Sequence, residues 1–166
     1  MKNKVFAFAI LVMGMATTAS AQSSDFATVT ASADIVTPIS IAPGNDMSFG
    51  KIVATAAGGT VDVDFSGSLT ATGVVKHSSA VGSAASFTVS GEDGFTYDVT
   101  LPTTFDLAGP TGSTAMTVNN FSHNATGTLT GGTETFDVAA TLTVGANQVP
   151  GAYTNSTDFT VTVAYN

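Results

Sequence analysis

The chain of 166 residues has no cysteine and no tryptophan, its four basic residues are all lysine, and its only histidines are His77 and His123. Without cysteine no disulfide can tie the fold together, and thiol nucleophiles and thiolate metal sites are excluded. Positive charge is nearly as scarce: four lysines stand against twelve carboxylates, a formal charge of −8. Two of those lysines, Lys2 and Lys4, sit at the extreme N-terminus, so only Lys51 and Lys76 serve the remainder of the chain. Nucleic acid is excluded as a partner, because phosphate binding rests on clustered Lys and Arg, and an anionic membrane surface would repel the chain. With three tyrosines and no tryptophan, no aromatic platform for stacking sugars is evident.

What is present begins with an export signal. Lys2 and Lys4 precede an apolar run over residues 5–15, and Ala19-Ser20-Ala21 stands before Gln22. That order of charged, apolar and small residues is the pattern of a secretory signal peptide, with cleavage expected between Ala21 and Gln22. The apolar run is shorter than the ~18 residues a membrane span needs, and no later stretch is long enough, so the mature protein is expected to have no integral membrane segment. Removing residues 1–21 leaves one expected domain, residues 22–166, in which two lysines face twelve acids for a charge of −10.

Alternation of apolar and polar residues recurs through that domain, the period-two signal of half-buried strands. Val61, Val63 and Phe65 alternate with Asp62 and Asp64; Phe95, Tyr97, Val99 and Leu101 alternate with Thr96, Asp98 and Thr100. Phe136, Val138, Ala140, Leu142 and Val144 continue the pattern, as do Phe159, Val161, Val163 and Tyr165. Near the start, residues 27–35 and 38–41 read as strands on either side of Pro38, which marks an edge, a kink or a strand switch. Turn-forming clusters such as Gly58-Gly59, Glu92-Asp93-Gly94, Gly131-Gly132 and Pro150-Gly151 separate the segments. No window of helical length carries a 3.6-residue apolar stripe. The expected fold is all-β: an antiparallel β-sandwich of roughly 8–10 strands with Greek-key connections.

Catalytic signatures are missing. Neither Gly-x-Ser-x-Gly nor His-Glu-x-x-His occurs, and His77 and His123 lie in polar, loop-like surroundings without a local partner. Asp62 with Asp64, and Glu92-Asp93 near Asp98, are the best carboxylate groupings, but the spacing of a calcium loop is absent and a solvated strand face or a turn accounts for each. No cofactor, metal site or catalytic residue is therefore assigned, and the protein is expected not to be an enzyme.

The order of segments is itself informative: Ala33-Asp34-Ile35-Val36-Thr37-Pro38-Ile39-Ser40-Ile41, Met47-Ser48-Phe49-Gly50-Lys51-Ile52, Ala85-Ser86-Phe87-Thr88-Val89-Ser90-Gly91, Tyr97-Asp98-Val99-Thr100-Leu101-Pro102, Leu142-Thr143-Val144-Gly145-Ala146, Gly151-Ala152-Tyr153, and the run from Phe159 to Asn166. In this order the chain resembles the bacterial domain-of-unknown-function family 4402 over essentially its whole mature length. That family in turn is similar to spore-coat-U-like and chaperone–usher pilin domains, incomplete immunoglobulin-like sandwiches that polymerise by lending each other a strand. The resemblance implies self or related subunits as partners, and a periplasmic chaperone. In such pilins the C-terminal strand ends on a penultimate aromatic and follows a glycine in the preceding turn; Tyr165 and Gly151 look like those features.

Two functions follow as expectations. The first is an exported, non-enzymatic surface or fimbria-like structural subunit, reaching the periplasm, cell surface or medium. Its donor strand would carry Phe26, Ala27, Val29, Ala31 and Ala33, and its C-terminal assembly strand Phe159, Val161, Val163 and Tyr165 after Gly151. The second is a self-contained secreted module that binds a glycan or a protein, with the two end strands paired inside one closed sandwich.

Overall fold

Phe136, Val138, Ala140, Leu142 and Val144 occupy every second position of one twelve-residue strand, and all five are buried. The intervening threonines and Asp137 face outward, as a pleated backbone with a period of two requires. This strand organises the rest. In a computed structural model that describes residues 23–155 and 159–166, the described residues form twelve strands. They are β1 (Ser40–Pro43), β2 (Ile52–Val53), β3 (Gly59–Val63), β4 (Leu69–Thr72), β5 (Val75–Lys76), β6 (Ala85–Ser90), β7 (Tyr97–Thr100), β8 (Phe105–Ala108), β9 (Met116–His123), β10 (Thr133–Val144), β11 (Thr154–Asn155) and β12 (Thr162–Tyr165). Three of them, β2, β5 and β11, are only two residues long.

Every pairing between these strands is antiparallel. The main sheet runs β1-β6-β10-β9-β8-β11, with β3 and then β4 attached to β10. One edge of β10 serves two partners: Thr133–Val138 pairs with β6, and Ala140–Val144 with β3. Its other edge pairs with β9, where the register shifts between Ala139 and Thr141. Strands β12 and β7 form a second sheet, and β2 and β5 a short ribbon. Among the described residues there is no helix, and thus none long and apolar enough to cross a membrane.

Turn chemistry matches the sequence. The Asp64 carboxylate accepts hydrogen bonds from the Ser66 N–H at 2.9 Å, the Ser66 hydroxyl at 2.6 Å and the Ser68 N–H at 2.8 Å, closing the β3–β4 hairpin. This local pattern is what Asp in a turn offers an otherwise unpaired backbone. It holds the Asp64 carboxyl below its ordinary pKa, the Ser66 hydroxyl being the main cause. Asp62, expected on a solvated strand face, instead is half-buried and accepts a hydrogen bond from the Thr141 hydroxyl across to β10 at 2.6 Å.

Two buried clusters form the core. One gathers Phe49, Val61, Val63, Leu69, Val74, Met116, Val118, Ala140, Leu142 and Val144; the other gathers Ala85, Val89, Tyr97, Leu129, Phe136 and Val138. Burying such a Val, Leu or Phe side chain contributes about 1.5–3 kcal/mol, which is where a chain without disulfides finds its stability.

Three expectations are corrected. The alternating residues 27–35 form no strand: period-two patterning makes a segment strand-compatible, but a strand exists only where backbone partners are found. Strand β12 begins at Thr162, so Phe159 and Val161 precede it. His123 is not a loop residue but the last residue of β9.

Candidate functional site

Cα packing separates Met1–Asp34 from a compact unit, Ile35–Asn166. The expected cleavage position, between Ala21 and Gln22, lies outside the described residues. Within the described part of the leader, Phe26 is 87 % exposed, Val29 is 92 % exposed, and Ala27, Ala31 and Ala33 are exposed as well. Solvent exposure of a whole alternating apolar face is costly to leave permanent.

The compact unit carries an apolar groove of about 1060 Å³. Buried Met116, Leu142 and Val144 line it, with half-buried Phe105, Leu107 and Phe159. Two stretches rich in irregular chain complete the lining, residues 46–54, which include β2, and residues 148–155, which include β11. The second stretch is held in place by Gln148, whose amide donates to the Thr114 carbonyl and to the Tyr153 hydroxyl, and by Tyr153, whose hydroxyl donates to the Val149 carbonyl at 2.8 Å. Gly151 has no alternative: at φ 155° a side chain is disfavoured, and a Cβ would collide with the Pro110 ring.

Of the residues expected in a C-terminal assembly strand, the structure finds most engaged within their own unit. The Phe159 ring lies 5.4 Å from both Phe105 and Phe121 in stacked geometry and meets Phe87 edge-on at 6.0 Å, tying β6, β8 and β9 together. Val161, Val163 and Tyr165 pack against the second core cluster. The Tyr165 hydroxyl donates to the Thr37 carbonyl at 2.8 Å and accepts from the Glu92 N–H at 2.6 Å, while its ring meets Phe95 edge-on. Gly91 permits this approach, since a Cβ there would strike the tyrosine hydroxyl. Glu92 in turn accepts from the Thr37 N–H at 2.8 Å, and that bond holds its carboxyl below the ordinary value. Gly151 and Phe159 thus line the groove, whereas Val161, Val163 and Tyr165 do not.

A second polar cluster joins β7, β10 and the intervening loop. Tyr97 donates to one Glu134 oxygen at 2.7 Å, and the Thr126 N–H reaches the other at 2.5 Å. Burial, the largest influence on Glu134, raises its pKa, but the hydrogen bonds from Tyr97, Thr126 and Gly127 together outweigh it and hold the carboxyl low. Burial pushes the Tyr97 phenol well up, with help from the Glu134 carboxylate.

The groove's lining carries one carboxylate, Asp46, one amine, Lys51, and one phenol, Tyr153. Neither histidine lines it: His77 is exposed and bonded to Ser79, and the exposed His123 lies edge-on to Phe136. Among the described residues no three His, Cys, Asp or Glu gather as metal ligands. The groove offers apolar area, a short strand edge and two charges, Asp46 and Lys51. Sequence reasoning missed residues 46–54, 105–107 and 148–155 as a common site; the signal within reach was Lys51, one of two cations after the N-terminus.

An antiparallel all-β unit with an open apolar groove is therefore the class of protein that fold and site define. The family model described as "Domain of unknown function (DUF4402)" matches residues 39–165, and the chain belongs to that family. No curated protein and no solved structure matches it.

Proposed function

We propose that the chain is an exported, non-enzymatic surface or fimbria-like structural subunit, an immunoglobulin-like, pilin-type sandwich that assembles by strand donation. In this reading residues 26–33 of one subunit enter a neighbouring subunit near the stretch that runs from Phe159 to Tyr165. The observation that carries it is the leader: Phe26 and Val29 are almost fully exposed in an alternating segment that forms no strand, in a chain whose compact unit has an open apolar groove. A donated strand satisfies backbone N–H and C=O groups at a sheet edge while its alternate side chains bury apolar area. Export is supported by the order of Lys2, Lys4, the apolar run and Ala19-Ser20-Ala21.

The test is removal of residues 22–32, with oligomers compared by size-exclusion chromatography and electron microscopy. Val29→Asp is the point variant: an unpaired charge placed in an apolar groove costs several kcal/mol, about enough to reverse assembly. Polymerisation by both variants as complete as that of the parent would sink the strand-donation reading. The second reading, a self-contained binding module, draws on the groove's volume, which is of the order of the ~1,000 Å³ upper end of ligand pockets. A parent that stays a folded monomer, from cells without fibres, would favour it.

A further inference from the structure

The mature chain has only two cations, and both lie on the same two-stranded ribbon. Lys51 directly precedes β2 and lines the groove; Lys76 ends β5, opposite Ile52. The His77 N–H donates to the Lys51 carbonyl at 3.0 Å, which extends the ribbon by one pair and places Lys51 opposite His77. Opposite residues of an antiparallel pair share a face, and the face alternates. Lys51 and Val53 thus share the outer face with Val75 and His77, while Ile52 packs inward on the core. Val53 is 51 % and Val75 55 % exposed, an apolar patch beside a cation in a chain whose residues 22–166 carry two lysines against twelve acids. Among the described residues β2 pairs with β5 alone, so its other edge is open and borders the groove.

The leader has the complementary arrangement. Its odd positions Ala27, Val29, Ala31 and Ala33, and Ile35 at the start of the compact unit, are all apolar and exposed, and once the segment is extended Asp34 stands on the opposite face. A segment of this length extends about 30 Å at 3.3 Å per residue. With the odd face turned into the groove, Asp34 is turned to the solvent side, where Lys51 is exposed.

Resting on the strand-donation reading, we infer that the acceptor site is this groove along the open edge of β2. Its occupant is residues 27–35 of a second copy, and the register of docking is set by Asp34 of one copy meeting Lys51 of the other. Apolar burial supplies the affinity. The ion pair selects one register and direction among the slips that a Thr- and Ala-rich strand would otherwise tolerate, since a shift by one residue turns the apolar face outward.

The experiment measures self-association of the full secreted protein by analytical ultracentrifugation at low and high salt, with circular dichroism to verify that each variant folds. Lys51 and Asp34 are exposed, so their replacement does not touch the core. Lys51→Asp and Asp34→Lys are each expected to weaken association about three- to tenfold at low salt, less at high salt, and the double exchange to restore it. Val149→Asp, at an exposed apolar residue of the groove lining, is expected to weaken it more than about tenfold. A parent that associates through its leader while Val149→Asp and Lys51→Asp associate as well as it does would overturn the acceptor site and leave strand donation standing. Weakening by both single charge variants without recovery in the double exchange would overturn the Asp34–Lys51 register. A parent monomeric at every concentration would overturn the strand-donation reading and this inference with it.

Discussion

Glu134 offers the sharpest test of the interior electrostatics. Its carboxylate receives the Tyr97 hydroxyl at 2.7 Å and the Thr126 N–H at 2.5 Å, so one ion ties β7, β10 and the loop between β9 and β10. A hydrogen bond to a charged group contributes about 1.5–3 kcal/mol, reduced here because Glu134 is only half-buried and water can replace a lost partner. Glu134→Gln and Tyr97→Phe are each expected to cost about 1–2 kcal/mol at pH 7, and a double-mutant cycle to return about 1 kcal/mol of coupling. The pH dependence follows from the direction of the shift. Because the folded Glu134 pKa lies below the ordinary glutamate value of about 4.3, its contribution is complete above that value and fades as pH falls through the folded pKa. Urea unfolding of parent and Glu134→Gln at pH 7 and pH 3 measures this, the difference isolating Glu134 from the low-pKa carboxyls of Asp64 and Glu92. The gap between the two proteins is expected to narrow at pH 3. A gap of equal size at both pH values would refute the claim that the ionised carboxylate stabilises the fold.

Phe159→Ala removes the ring that contacts Phe87, Phe105 and Phe121, and is expected to cost about 2–4 kcal/mol, toward the lower part of the range for aromatic truncation because the ring is half-buried; chemical denaturation reads it. Tyr165→Phe keeps the ring against Phe95 but strips the Thr37 carbonyl and Glu92 N–H of their partner, with an expected loss of about 1–2 kcal/mol by the same measurement. Mass measurement of exported protein is expected to give a chain beginning at Gln22; a product retaining Lys2 and Lys4 would contradict export by signal cleavage. His77→Ala and His123→Ala are expected to leave assembly unchanged, and a loss with the fold retained would reopen the question of chemistry at those sites.

Much of the architecture is a local property of the chain, and the sequence alone determines it. Period-two burial over residues 136–144 follows from the pleat, and the β3–β4 turn from the reach of one aspartate to the backbone two and four residues on. The absence of cysteine, tryptophan and arginine excludes whole classes of chemistry without any coordinates. Periodicity does not say which strand finds which. Residues 27–35 and 136–144 alternate equally well, yet one stretch forms no strand and the other pairs with three strands, because pairing depends on partners distant in sequence and on the area each side chain can bury. The same distance hid the role of Tyr165. Its alternation was legible, but its hydrogen bonds to Thr37 and Glu92 span 128 and 73 residues and exist only after the fold closes. The groove is wholly tertiary: residues 46–54, Phe105, Leu107, Met116 and residues 148–155 carry no common motif, and only the packing of their elements leaves an apolar space between them.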